Sequence, residues 1–197
     1  MRSALSRFLD RVREYDRIAK IGEIGRRYFA MNSFDGILTI LGILLGSYFA
    51  GISNARIIIT TGFGACIAMG VSGIWGTYLA EEAERNKALR DLERATLTRM
   101  KNTKIQKAAK FAIISVALID GLSPFFAALV VILPFIVLSF LPIKLIYLIS
   151  IMIAFILLIS LGIFLGTISR ENIIKSGLKM ALAGVVCVVL SLLLQFY

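Results

Sequence analysis

The sequence predicts an all-α, polytopic membrane protein with five transmembrane helices behind a basic amphipathic helix. Three observations predict it. The 197 residues are 58% hydrophobic, and the mean hydropathy is +0.87, above what a soluble domain carries. Residues 36–55, 57–80, 121–143, 145–169 and 180–197 contain no Asp, Glu, Lys or Arg. A helix needs about 20 apolar residues to cross about 30 Å of hydrocarbon, and each run supplies most of one crossing. The charges between the runs are also segregated. Residues 1–27 carry eight Lys and Arg, residues 81–110 nine and residues 170–179 three, while the other two connections carry only Arg56 and Lys144. Cytoplasmic segments are the basic ones, so five crossings with a cytoplasmic N-terminus and an external C-terminus put all three basic segments on one side.

Taken in order, residues 1–27 form a cytoplasmic segment in which Leu5, Phe8, Leu9, Val12, Tyr15 and Ile18 recur at helical spacing. That pattern predicts an amphipathic helix along the inner membrane surface or against the bundle. Residues 28–80 hold transmembrane helices one and two, near 30–52 and 56–80. No Gly or Pro falls between Gly76 and Gly121, so the second helix is expected to continue into a short cytoplasmic helical connection over 81–110. Glu81 and Arg85 there have the favourable i,i+4 order. Residues 111–197 hold helices three to five, near 111–140, 145–168 and 173–196. The third, at about 1.5 Å per residue, is too long for a straight crossing. Pro124 and Pro134 inside it each remove a helix hydrogen bond, and tilt or a kink is expected.

The net charge of +10 raises the question of nucleic acid, but its placement beside membrane spans points to anionic lipid headgroups instead. The first 27 residues are charged throughout and do not read as a cleavable signal peptide. The chain is expected to be an integral, multi-pass membrane protein, in the plasma membrane if prokaryotic. Cys66 and Cys187 fall mid-span, where buried inert thiols are expected and a disulfide needs those helices to touch. With no histidine, His-based zinc sites and His proton relays are excluded.

Two acidic residues stand inside apolar stretches, each followed by glycine: Asp35-Gly36 and Asp120-Gly121. A carboxylate in hydrocarbon costs on the order of 3 kcal/mol even on the mildest scale, and such residues mark cation or proton pathways. The candidate transport ligands are Asp35, Asp120, Asn32, Thr39, Met69 and Ser72, with Ser123 and backbone carbonyls. On a helix Asn32, Asp35 and Thr39 share one face with Gly42 and Gly46. An oxygen-rich set suits Mn²⁺, Fe²⁺, Mg²⁺ or Ca²⁺, and a methionine favours a softer ion. Two close carboxylates cannot both stay ionised without a cation, so metal binding releases a proton and exchange follows. Glu81, Glu82 and Glu84 are candidates for a cytoplasmic entry, against a plain solvated face paired with Arg85. Helix capping or interhelical hydrogen bonding is the structural alternative for Asp35 and Asp120. The repeated Asp-Gly reads either as a trace of duplication or as coincidence.

Small residues run through the spans. Gly64, Ala68, Ser72, Gly76 and Ala80 recur every fourth residue, and Gly42 and Gly46 lie beside Asp35. Such stripes let backbones approach closely, either within the bundle or between two copies in a homodimer. For Gly162 and Gly166 the expectation is intramolecular packing. The competing functions are a divalent metal transporter, a membrane enzyme and a non-transporting assembly protein with the aspartates as structural glue. The Asp-Gly-x-x-Ala-Arg pattern of lipid phosphate enzymes is absent, and no nucleophile–base pair is visible, so no enzyme is expected.

Asn32-x-x-Asp35-Gly36-x-x-Thr39-x-x-Gly42 resembles the first-span signature of the vacuolar iron transporter family, which includes the yeast vacuolar iron and manganese carrier and nodulin-like transporters. Ser72, Gly76 and Tyr78, and Lys179-Met180-Ala181-Leu182-Ala183-Gly184 in the last span, are similar to later segments of that family. The resemblance implies a homodimer with a pathway between subunits, export of Fe²⁺ or Mn²⁺ from the cytoplasm in exchange for protons, and a pathway role for Asp35. The metal is cargo, and no permanently bound cofactor is expected. The chain departs from the family in having Gly73 where a methionine is expected and Thr77 where a glutamate is expected, with Met69 one turn away. It also lacks the Glu- and Met-rich cytoplasmic insert, since residues 81–110 carry five acids against nine bases and only Met100. Asp120 lies outside the family pattern.

Overall fold

The computed structural model of the protein describes residues 4–138 and 140–194. They form six helices: α1 (Ala4–Ala19), α2 (Ile21–Phe49), α3 (Ala55–Thr96), α4 (Lys104–Val137), α5 (Ile143–Ser169) and α6 (Ile173–Leu194). The last five are each long and apolar enough to cross a membrane. The protein is therefore an all-α, integral, multi-pass membrane protein. The side chains of Leu5, Phe8 and Leu9, and the C-terminal Gln195-Phe196-Tyr197, lie outside the described residues.

The helix ends follow local chemistry. Asn54 caps α3: its side-chain oxygen accepts the Arg56 N–H at 3.0 Å. Asn172 does the same for α6, accepting the Ile174 N–H at 3.0 Å. Lys20 takes a left-handed conformation, φ 51°, that separates α1 from α2. Asp16 then accepts the Gly22 N–H at 2.6 Å and satisfies a donor in the first turn of α2. Arg170, also left-handed, ends α5. Pro124 and Pro134 both lie inside α4, which continues through them as one helix.

The chain divides into two compact units. One comprises residues 1–29 and 71–122, and the other residues 30–70 and 123–197. In the first unit, Ile21, Ala112 and Val116 are buried, with Tyr15, Ala19, Ile24, Tyr28 and Phe111 packed around them. Tyr15 and Phe111 rings lie 5.6 Å apart, and Glu14 accepts from the Lys104 ammonium at 2.6 Å, so α1 is held to the start of α4. In the second unit the core gathers Ile40, Leu41, Leu44, Ile58, Cys66, Val131, Phe135, Tyr147 and Leu158. The Tyr147 hydroxyl donates to the Ile52 carbonyl at 2.9 Å, tying α5 to the α2–α3 turn. Cys66 and Cys187 are free thiols.

Glycine sets the α5–α6 contact, because two backbones meet there. A Cβ on Gly162 would stand 2.5 Å from the Ser176 carbonyl oxygen, so only hydrogen fits. Gly162 and Gly166 thus serve packing within the chain, as expected. Elsewhere the apolar side chains point outward: Trp75, Val71, Met152, Ile156, Leu182 and Leu190 are all exposed. Such a surface suits lipid rather than water.

Candidate functional site

Asp35 sits midway along α2, and its side chain is exposed on the surface of the single chain. The helical period places Thr39 one turn further on, also exposed, and half-buried Asn32 one turn before. Gly42 and Gly46 continue that direction, and a Cβ added to either meets nothing within 4 Å. By contrast, the opposite side of α2 is core: Ile37, Ile40, Leu41 and Leu44 are buried. Gly36 belongs to that packed side, where its Cβ would lie 2.6 Å from the Pro124 carbonyl oxygen. The neighbouring glycine thus locks α2 against α4 and leaves the Asp35 carboxylate facing outward.

On α3 the small residues are outward too. Gly64 and Ala68 in the second unit are exposed, and space beside Gly64 is open. In the first unit Ser72, Gly76 and Ala80 are exposed, and space beside Gly76 is open. Met69 is half-buried against the core of the second unit.

Asp120 belongs to a different setting. It is 6% exposed, on α4 in the first unit. The Thr77 hydroxyl, itself 9% exposed, donates to Asp120 Oδ2 at 2.6 Å. Gly73, one turn earlier on α3, makes the approach possible. A Cβ there would stand 2.7 Å from the Gly121 Cα and 3.2 Å from Asp120 Oδ2. Both departures from the resembled pattern therefore meet at Asp120: Gly73 lets the helices touch, and Thr77 binds the carboxylate. The sequence reading singled out Asp120 without this partner. Its one available signal was that Gly73, Thr77 and Glu81 share a helix face.

Glu81, one turn beyond Thr77, is 7% exposed and accepts from Arg85 Nε at 2.7 Å. It is buried and paired rather than solvated. Glu82 is half-buried and Glu84 exposed. Among the described residues no group of three His, Cys, Asp or Glu side chains is placed to hold a metal ion.

Comparison with known proteins follows the same lines. Residues 27–111, which include Asp35 and the α3 segment, match the model of the VIT family. An uncharacterized protein of Methanocaldococcus jannaschii is 33% identical over 177 residues, covering 88% of this chain and 90% of that relative. Over residues 27–111 the chain belongs to the VIT family, and the protein is a membrane transport protein.

Proposed function

We propose that the protein exports Fe²⁺ or Mn²⁺ from the cytoplasm in exchange for protons, through a pathway between the two subunits of a homodimer. The observation that carries this reading is the outward-facing Asp35 carboxylate inside a membrane-length helix. Left against lipid, it costs on the order of 3 kcal/mol or more. A second copy packed on the Asp35 face removes it from lipid and brings a second Asp35 to the same axis. The open space beside Gly42 and Gly46 supports close approach of a partner helix. Gly64, Ala68 and Gly76 offer the same on α3.

Two carboxylates and the Thr39 hydroxyls form an oxygen-rich set of the kind that hard and borderline divalent ions prefer. Ionised, the pair attracts the cation. Empty, the pair repels itself and takes up a proton. Met69 and Ser72 are secondary candidates along the pathway. Glu82 and Glu84, just beyond the second span, are the candidates for a cytoplasmic entry.

Reconstituted protein carrying Asp35→Asn tests the reading. The amide keeps the size and loses the charge, so Mn²⁺ flux into liposomes falls to that of protein-free vesicles while the protein stays folded. Flux equal to the wild type removes Asp35 from the pathway, and wild-type flux no higher than that of protein-free vesicles returns the assembly-protein reading.

A further inference from the structure

The outward face of α2 carries one more side chain with metal-binding chemistry. Met31 stands one turn before Asp35 and is 52% exposed. Met31, Asp35 and Thr39 follow one another in steps of four residues and are all exposed, so they project within about 80° of one another around the helix. Gly42 and Gly46, with open space beside them, continue the same face. Residues at i and i+4 have Cβ atoms about 5–6 Å apart. Side chains on a helix lean towards its N-terminus, so a carboxylate at residue 35 reaches back over the turn that bears residue 31. One ion can then touch a carboxylate oxygen and the thioether sulfur together.

An exposed methionine in a span can simply face lipid. Met152, 57% exposed on α5, fits that account, because α5 contains no acidic residue. Met69 and Met180 pack against the core of the second unit, and Met100 lies in the turn after α3. Among the described methionines, Met31 is therefore the one that shares a helix face with a carboxylate.

Chemistry gives this pairing a use. Carboxylate and hydroxyl oxygens suit Mg²⁺, Ca²⁺ and Mn²⁺ alike and select poorly among them. A thioether is neutral, soft and polarizable. It offers little to Mg²⁺ or Ca²⁺, which take oxygen ligands, and more to an ion further along the series such as Fe²⁺. It also adds a ligand without adding another charge to hydrocarbon. With the N-terminus on the cytoplasmic side, an outgoing ion meets the Met31 sulfur before the Asp35 carboxylate.

We infer that Met31 is a selectivity ligand of the Asp35 site: its thioether sulfur coordinates the transported ion beside the carboxylate and favours Fe²⁺ over Mg²⁺ and Ca²⁺. In a homodimer each chain supplies one sulfur and one carboxylate to the shared path. The inference rests on the Asp35 pathway proposed above.

Full-length protein in oxygen-free liposomes, with Fe²⁺ as the ion and Mg²⁺ as competitor, tests it. Leucine keeps the volume of methionine and loses the sulfur. In Met31→Leu the Fe²⁺ concentration for half-maximal flux rises roughly tenfold, the scale on which ligand surroundings tune metal affinity. The inhibition constant of Mg²⁺ stays that of the wild type, whereas a role in packing alone would move both constants together. Met152→Leu, which removes an exposed methionine from α5, leaves both unchanged. An unmoved Fe²⁺ constant in Met31→Leu overturns the inference. So does a Mg²⁺ constant that moves by the same factor, or an equal shift in Met152→Leu. X-ray absorption of Fe²⁺-loaded protein in detergent separates this failure from failure of the transport reading. A sulfur neighbour of the iron that is present in the wild type and missing in Met31→Leu supports the ligand even if no Fe²⁺ crosses the membrane. An oxygen-only iron shell in the wild type, sulfur retained in Met31→Leu, or no bound iron overturns it even if Fe²⁺ crosses.

Discussion

Glycine shows how much a single hydrogen atom decides in this fold. Gly73 and Gly46 lie on neighbouring spans, and their surroundings could hardly differ more. A Cβ at Gly73 would press on the Gly121 backbone at 2.7 Å, whereas one at Gly46 enters open space. Gly73→Ala is therefore expected to push α3 off α4, lengthen the Thr77–Asp120 hydrogen bond and destabilise the protein by about 1–3 kcal/mol. Gly46→Ala should leave the unfolding midpoint within error. Thermal unfolding of the two variants in detergent checks the contrast, and equal midpoints would remove the close contact at Gly73. The same residue accounts for a departure from the family resemblance. A methionine has no room at residue 73, because the backbone of α4 occupies the space its side chain would need.

Among the helices, the spans were legible and their rotations were not. Five charge-free runs and the clustering of basic residues were enough to place α2 to α6, since water-loving side chains cannot lie in hydrocarbon. Periodicity alone could not say which side of α2 looks outward. The Asp35 direction became clear only once Gly36 was found against the Pro124 backbone. The Thr77–Asp120 pair was illegible for a related reason: the partners are 43 residues apart, and their meeting depends on how two helices are turned. Small-residue spacing was likewise ambiguous, since the Gly162 stripe packs α5 on α6 while Gly42 and Gly46 point into open space. If that open face is a subunit contact, Gly46→Cys in a background lacking Cys66 and Cys187 should cross-link two chains under mild oxidation. Cysteine at the packed residue Gly162 should not. A Gly46→Cys protein that stays monomeric on denaturing gels, with unaltered flux, would argue against a pathway between subunits.

At the scale of the whole molecule, the basic segments predict an orientation. Eight Lys and Arg over residues 1–27 and nine over residues 81–110 favour the cytoplasmic side. A reporter inserted at Lys101 should read internal and one fused after Tyr197 external, and a cytoplasmic Tyr197 would remove the five-crossing arrangement. The orientation gives the transport reading its direction, from the side that bears Glu82 and Glu84 outward. That reading stands or falls on Asp35. The most direct test is Mn²⁺ flux and internal pH recorded together in proteoliposomes across a set proton gradient, for wild type and Asp35→Asn. The wild type should carry Mn²⁺ with a matching proton counterflow, and Asp35→Asn should carry neither while keeping its fold. Undiminished Mn²⁺ flux in Asp35→Asn would contradict the account.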